Sequence, residues 1–238
     1  MSGDRVGVLG PATIDEISLD GGPVQIRPGG TPRYAERALR LAGAEPVVFE
    51  TGMLRSHLQH DGSGTRQQLS SLPEPLTPRA AAELLPALEG CRWLLLGGQT
   101  GADFPAETLG VLAGAGHLLC LDGQGLVRGS EAGPVRLRPV EAAAMAGVTA
   151  LKLNASEAEA AGPLTVAEQL VTMAAAGCRV TAAGETTLIE GSGRPFPDPT
   201  GAGDSFGALY CLARTRGLAP AAAAAWSQHQ VEQIYQRR

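Results

Sequence analysis

Residues 198–210 read DPTGAGDSFGALY and predict a loop that runs directly into the start of a helix. Gly201 and Gly203 permit close backbone turns, and the apolar residues from Phe206 onward follow a helical spacing. The first N–H groups of a helix are unpaired and carry the positive end of its dipole. Because the three residues before Asp204 have small side chains, an anion can approach these N–H groups, and the stretch predicts an anion-binding site.

Asp204 is the unusual residue of this stretch, because a carboxylate repels a bound phosphate. The conflict disappears when the phosphate is the transferred phosphoryl group and the carboxylate faces the attacking hydroxyl. In that arrangement a catalytic aspartate takes the hydroxyl proton during phosphoryl transfer. The alternative is purely structural. In that interpretation Gly201 and Gly203 form a turn, and either Asp204 or Thr200 caps the helix.

Length, composition and charge predict a globular protein with a small-molecule partner. A chain of 238 residues with 44% hydrophobic residues suits one domain with a sizeable core, which we place at residues 1–238. A net charge of −5 gives no basis for a nucleic-acid or membrane-surface partner. The sequence has no apolar run of about 20 residues and begins without an apolar signal region, so we expect a cytoplasmic protein.

The string at residues 198–206 closely resembles the signature of the ribokinase family of carbohydrate kinases, also called the PfkB family. The resemblance implies an α/β fold: a ribokinase-like three-layer sandwich with a mostly parallel central sheet flanked by helices and a minimal β lid. It implies that Asp204 is the catalytic base and that Thr200 contacts the nucleotide cofactor. The implied anion hole consists of the backbone of Gly201, Ala202 and Gly203.

The first residues predict a short buried strand at Arg5–Leu9, a turn at Gly10-Pro11 and then a hairpin. The hairpin strands are Ile14–Leu19 and Val24–Arg27. Asp15 follows the first strand, and its structural interpretation is a solvated turn carboxylate. The family resemblance implies instead that Asp15 binds substrate hydroxyls beneath a small β-hairpin lid at residues 12–30.

Gly29 and Gly30 precede a predicted helix that begins near Thr31 and Pro32. The pair resembles the Gly-Gly of the family, where the backbone approaches the sugar closely, so both glycines are candidate substrate-binding residues. Family members commonly have Asn just after the pair, whereas this chain has Thr31 and Pro32. The departure argues against an ordinary pentose or hexose as the substrate.

Helices and strands alternate through the middle of the chain, which predicts parallel strands with ligands beyond their carboxyl ends. The expected elements are a helix at 78–89, a strand at Arg92–Leu96, a helix at 104–115, a strand at His117–Leu121 and a helix at 165–176. Residues 122–128 follow one of these strands and resemble a D-x-Q-G-x-x-R segment of part of the family. The resemblance implies that Arg128 faces the substrate; the alternative is a surface arginine after a turn.

Asn154 and Glu157 follow another predicted strand and have the spacing of a helix capping pair. They also resemble the N-x-x-E motif of the family, whose Asn and Glu organise Mg²⁺ and its waters around the donor phosphates. The two interpretations are compatible, because a helix start at a strand end is a suitable place for a phosphate and a metal. We therefore expect Asn154 and Glu157 to bind the ATP cofactor and Mg²⁺, the metal through water.

Histidine and cysteine residues predict neither a metal site nor a redox site. His57 and His60 lie in a stretch interpreted as a loop and have no third ligand nearby. The cysteines show no C-x-x-C spacing, so we expect reduced core residues. They are Cys91, Cys120, Cys178 and Cys211.

Taken together, these features predict an ATP-dependent, Mg²⁺-requiring kinase that phosphorylates an alcohol group of a sugar, a polyol or a nucleoside. The sequence contains neither the GxxxxGK[ST] of P-loop enzymes nor a GxGxxG after a strand. The D-x-Q-G-x-x-R segment and the missing Asn favour an inositol-like polyol. A nucleoside kinase and a catalytically silent ligand-binding protein are the alternatives. The resemblance leaves the oligomeric state open: lids of this family often pair across a homodimer, whereas a lid as small as this one favours a monomer.

Overall fold

The computed structural model describes residues 4–61 and 64–236. Its eleven strands form one mixed sheet. The strands are β1 (Arg5–Leu19), β2 (Gln25–Gly29), β3 (Glu45–Asp61), β4 (Gly64–Leu69), β5 (Trp93–Leu96), β6 (Leu118–Asp122), β7 (Gly133–Pro134), β8 (Val148–Asn154), β9 (Glu168–Thr172), β10 (Gly177–Ala182) and β11 (Glu185–Glu190). Their order is β11-β10-β9-β8-β6-β5-β1-β3-β4-β7, and β2 pairs with β1. The central pairs from β3 to β9 are parallel.

Helices cover both faces of the sheet, so the predicted α/β sandwich is confirmed. The helices are α1 (Thr31–Leu41), α2 (Pro78–Leu84), α3 (Ala106–Gly114), α4 (Gln124–Val127), α5 (Ala155–Ala161), α6 (Ala202–Thr215) and α7 (Pro220–Tyr235). Trp93 and Leu95 point into the core beneath α1, α6 and α7. Leu94 and Leu96 point into the opposite core, beneath α2, α3 and α5. This alternation is the pattern of a strand buried on both faces.

The strands β1 and β3 are longer than the sequence predicted and project beyond the helices. The predicted turn at Gly10-Pro11 is wrong, because β1 continues through it with a register shift between Gly10 and Ala12. Proline lacks an N–H donor, and a bulge accommodates this without ending the strand. Beyond the shift, β1 pairs with β2 as the predicted hairpin and also with β3. We call the outer parts of β1 and β3, together with β2, β4 and β7, the projecting sheet.

Two further expectations are wrong. The loop predicted around His57 and His60 is part of β3, which pairs with β1 as far as Leu19. The helix predicted at 165–176 is instead the strand β9 followed by a short 3-10 turn at Ala174–Ala176. Its alanines and long side chains favour a helix locally, but pairing with β8 and β10 overrides that preference.

In the described part of the chain, no helix combines the length and apolar character needed to cross a membrane.

Candidate active site

One cavity lies beyond the carboxyl ends of the parallel strands, where the projecting sheet leans over them. Its volume is about 330 Å³. Every site residue predicted from the sequence lines this cavity, with the exception of Gly29. These residues are Asp15, Gly30, Arg128, Asn154, Glu157, Thr200, Gly201, Ala202, Gly203 and Asp204. The fold therefore brings together residues that are widely spaced in the sequence, although their roles stay predictions.

The loop before α6 has the backbone geometry that the glycine pattern predicts. Gly201 has a φ of 81°, and a methyl group on it would lie 2.2 Å from the Tyr34 ring. A side chain at this position is therefore excluded by conformation and by packing. The N–H group of Ala202 donates to the carbonyl oxygen of Pro199 at 3.0 Å. Of the three predicted amide donors, that of Ala202 is thus already paired.

Asp204 lies in the first turn of α6 and is partly buried. The hydroxyl of Thr31 donates a hydrogen bond to its Oδ1 atom. Burial, followed by repulsion from Asp122, raises the pKa of Asp204 to about 6, while Lys152, the Thr31 hydrogen bond and Arg128 act in the opposite direction. A carboxylate with this pKa is ionised at neutral pH and still basic enough to accept a proton.

Asp15 and the two glycines form the wall beneath the projecting sheet. Asp15 is only 4% exposed and accepts a hydrogen bond from the hydroxyl of Ser56 at 2.7 Å, so the solvated-turn interpretation is wrong. A methyl group on Gly29 would lie 1.7 Å from Asp15 Oδ2. The absence of a side chain at Gly29 therefore allows the Asp15 carboxylate to pack against the backbone. Gly30, with a φ of 91°, faces the cavity directly.

Two buried hydroxyls in this wall were missed by the sequence analysis. Thr13 Oγ1 and Tyr34 OH have no hydrogen-bond partner within the described chain, and both residues line the cavity. Because leaving a buried polar group unpaired is costly, such groups at a cavity indicate a polar ligand. Thr13 could have been predicted as a site residue because it lies two residues before the candidate Asp15. Residues two apart on a strand share one face of the sheet.

Arg128 connects three parts of the cavity wall, so the surface-arginine interpretation is wrong. Its guanidinium donates to the side-chain oxygens of Gln67 at 2.8 Å and Gln99 at 3.2 Å. It also lies 3.5 Å from Glu157 Oε1. The side chain therefore joins the projecting sheet to the start of α5, within reach of a ligand in the cavity.

Asn154 and Glu157 form the capping box that their spacing predicts. Asn154 Oδ1 accepts from the Glu157 N–H at 2.8 Å, and Glu157 Oε2 accepts from the Asn154 N–H at 2.9 Å. The described residues contain no group of three or more His, Cys, Asp or Glu side chains arranged to hold a metal. An amide and a carboxylate oxygen already engaged in a cap suit Mg²⁺, which keeps several of its waters, better than a cation that needs a full protein shell.

A buried ion pair forms the floor of the cavity and was also missed by the sequence analysis. Lys152 Nζ lies 2.7 Å from Asp122 Oδ2, and both side chains line the cavity. Asp122 ends β6, and Lys152 lies two residues before the end of the neighbouring parallel strand β8. The sequence did contain a signal, because Lys152 is the only lysine and lies two residues before Asn154 of the predicted metal motif.

The projecting sheet contacts the loop before α6 through two side-chain pairs. Arg27 of β2 forms an ion pair with Asp198. His60 Nε2 lies 3.2 Å from Thr200 Oγ1. These contacts join the strands over the cavity to the predicted phosphate-binding loop.

No protein-family model and no curated protein matches this sequence. Solved structures do match it. A pyrophosphate-dependent kinase in the ribokinase family, solved with a pyrophosphate analog and myo-inositol, has a TM-score of 0.77 and 18% identity over 98% of this chain and 95% of that one. A nucleoside kinase of Burkholderia thailandensis, solved with inosine, has a TM-score of 0.74 and 14% identity over 97% of this chain and 90% of that one.

A ribokinase of Thermotoga maritima also matches, with a TM-score of 0.61 and 16% identity over 98% of this chain and 93% of that one. The chain therefore has the ribokinase fold, as the sequence predicted.

Proposed function

We propose that this protein is a phosphotransferase that moves a phosphoryl group from ATP to an alcohol group of a small polyhydroxylated acceptor. The observation that supports this proposal most strongly is the position of Asp204. Its partly buried carboxylate lies between a glycine-rich helix start and a cavity wall that contains a second carboxylate, Asp15. A base beside an anion-binding loop is the arrangement that phosphoryl transfer requires.

In this proposal each wall of the cavity has its own role. Asp15 would accept hydrogen bonds from acceptor hydroxyls and hold one of them towards Asp204. Asp204 would take the proton of that hydroxyl as its oxygen bonds to phosphorus. The helix start at residues 201–203 would stabilise the negative charge of the transferring group, and the projecting sheet would keep water out.

Mg²⁺ is the cation that we propose near Asn154 and Glu157, bound through water. The metal supplies charge neutralisation for the donor phosphates when it is bound. The chain's own contribution is to fix the two oxygen donors, which the capping box does.

An inositol-like polyol is the acceptor class that we favour. Thr13 Oγ1 and Tyr34 OH add two buried hydroxyls to the Asp15 wall. A ring with a hydroxyl on every carbon can use such groups on several sides, whereas a nucleoside carries hydroxyls only on its sugar. The solved kinase with myo-inositol supports this choice by analogy of fold alone.

A substrate panel tests the proposal. Wild-type protein and the Asp204→Asn variant are incubated with Mg²⁺, with ATP or pyrophosphate as the donor, and with inositols, hexoses, pentoses, adenosine, cytidine or inosine. We expect a phosphorylated polyol from the wild type and none from the variant. A nucleoside as the best acceptor would overturn the polyol assignment, and binding of an acceptor without turnover in every combination would favour a catalytically silent protein.

A further inference from the structure

Lys152 places a positive charge directly beside the predicted phosphate-binding loop. The side chain is 5% exposed and lies near the carboxyl end of β8, at the floor of the cavity. A methyl group on Gly203 would lie 3.0 Å from its Nζ atom. The ammonium group therefore contacts the first turn of α6, one residue before the candidate base.

Pairing with Asp122 does not by itself explain why a lysine occupies this position. A buried ion pair is often no more stable than two apolar residues of similar size. The side chains two positions earlier on the same face, Cys120 and Ala150, are apolar and fully buried, so this face of the two strands accommodates apolar side chains. The Lys152 charge is thus better explained by what the cavity binds than by the packing of the fold.

The charges around the cavity floor also favour a role for the lysine in transfer. The acidic side chains there are Asp122, Glu157 and Asp204, and the basic ones are Lys152 and Arg128. Arg128 is already engaged with two glutamines and Glu157. Of these two cations, Lys152 is the one in contact with Gly203, where the transferring group is expected.

We propose that Lys152 is a catalytic residue whose ammonium group contacts the phosphoryl group during transfer, and that Asp122 is a positioning residue that aims it. The inference rests on the proposed function. In this step the acceptor oxygen bonds to phosphorus while the bond from phosphorus to the leaving phosphate of the donor breaks. The hydroxyl proton goes to Asp204, the electron pair of the broken bond stays on the leaving phosphate, and Lys152 keeps its proton.

The test must separate loss of this contact from loss of a buried ion pair. Lys152→Met leaves the Asp122 carboxylate buried without a partner, whereas Lys152→Met combined with Asp122→Asn removes both charges. Arg214→Met is the control, because it breaks the partly buried ion pair between Arg214 and Glu168, at 2.6 Å, outside the cavity.

We expect Lys152→Met to lower both the melting temperature and kcat, with kcat falling by about 100-fold, as for the loss of one transition-state donor. The double variant should regain most of the melting temperature while kcat stays low. Arg214→Met should lower the melting temperature and leave kcat within about threefold of the wild type. Recovery of kcat in the double variant would overturn the inference, because Lys152 would then serve only to neutralise Asp122.

Donor binding gives a second readout that does not need turnover. A nonhydrolysable ATP analogue carries the terminal phosphate and ADP lacks it. We expect the double variant to bind the analogue about tenfold more weakly and ADP as tightly as the wild type does. An equal effect on both ligands, or none on either, would contradict a contact with the transferred group. If the wild type transfers phosphate to nothing, the proposed function fails, and this comparison still tests Lys152.

Discussion

The hydroxyl of Thr31 donates a hydrogen bond to the carboxylate of Asp204, which joins the starts of α1 and α6. Thr31 is completely buried. A methyl group on Gly97 would lie 2.2 Å from its side chain, so Gly97 provides the space that Thr31 occupies. The bond fixes one oxygen of the candidate base and favours its ionised form.

Replacing Thr31 with valine should impair the base without changing the shape of the site. Because the hydrogen bond lowers the pKa of Asp204, its loss should raise that pKa and move the acid limb of the pH profile of kcat/KM to higher pH. We expect kcat to fall by roughly 10-fold to 100-fold at neutral pH. Thr31→Ser should restore both. An unchanged pH profile in the valine variant would show that the bond does not act on the base.

Asp204→Asn should stop turnover and stabilise the fold. Removing a general base costs about 100-fold to 10,000-fold in rate. The folded pKa of about 6 exceeds the ordinary value of 3.8, so the ionised carboxylate opposes folding, and stability is lost as pH rises through this window. At pH 7 the variant should therefore be more stable by roughly 2–3 kcal/mol.

Urea unfolding at several pH values tests whether Asp204→Asn raises the free energy of unfolding. Below about pH 3 the wild-type carboxyl is protonated in both states, so the two proteins should be equally stable there. The difference should appear between about pH 3 and pH 7. A variant that is less stable than the wild type at pH 7 would contradict the raised pKa.

The geometry of the predicted phosphate-binding loop could be inferred from the sequence because its residues are contiguous. The glycines, the candidate base and the helix start all fall within residues 198–210. The capping pair at Asn154 and Glu157 could be predicted for the same reason, since its members lie three residues apart. Local spacing determines such motifs whatever the rest of the chain does.

Pairs that depend on strand order could not be predicted. Lys152 meets Asp122 because β8 lies beside β6, and Thr31 meets Asp204 because α1 packs against α6. Local preference was also misleading at β9, where strand pairing overrides a helix-forming composition. The projecting sheet was underestimated because β1 passes through Gly10-Pro11 as a bulge, which the dipeptide itself does not reveal.

Tyr34→Phe should weaken acceptor binding while sparing the fold. The Tyr34 hydroxyl is buried without a hydrogen-bond partner in the described chain, so its removal should leave stability unchanged or raise it by about 1 kcal/mol. Tyr235→Phe is the matched control, because the Tyr235 hydroxyl lies 2.9 Å from Ser205 Oγ. That variant should lose about 1 kcal/mol.

Unfolding curves and acceptor kinetics measure the two effects of these tyrosine variants. We expect the KM for the acceptor to rise about tenfold in Tyr34→Phe, the effect of one lost hydrogen bond. An unchanged KM would exclude the hydroxyl from acceptor binding.

Arg27→Met should loosen the projecting sheet over the cavity. Its ion pair with Asp198 joins β2 to the phosphate-binding loop, so its loss should raise the KM for the acceptor several-fold. Arg55→Met is the control, since Arg55 pairs with Glu16 at 3.0 Å within the same sheet and does not line the cavity. Steady-state kinetics should show a raised KM for the acceptor in Arg27→Met alone. An equal rise in KM in both variants would point to general destabilisation of the sheet.

Gly201→Ala should be far more damaging than Gly217→Ala, although both glycines have nearly the same backbone conformation. Their φ values are 81° and 83°, so each alanine variant bears the left-handed penalty of about 1 kcal/mol. A methyl group on Gly217 meets nothing within 4 Å, whereas one on Gly201 would lie 2.2 Å from the Tyr34 ring. Overpacking of this kind adds roughly 1–3 kcal/mol. Urea unfolding should therefore separate the variants by that amount, and Gly201→Ala should also lose most of its turnover because the loop must shift. Equal stabilities would mean that Tyr34 can move aside, and that its packing against Gly201 does not fix the phosphate-binding loop.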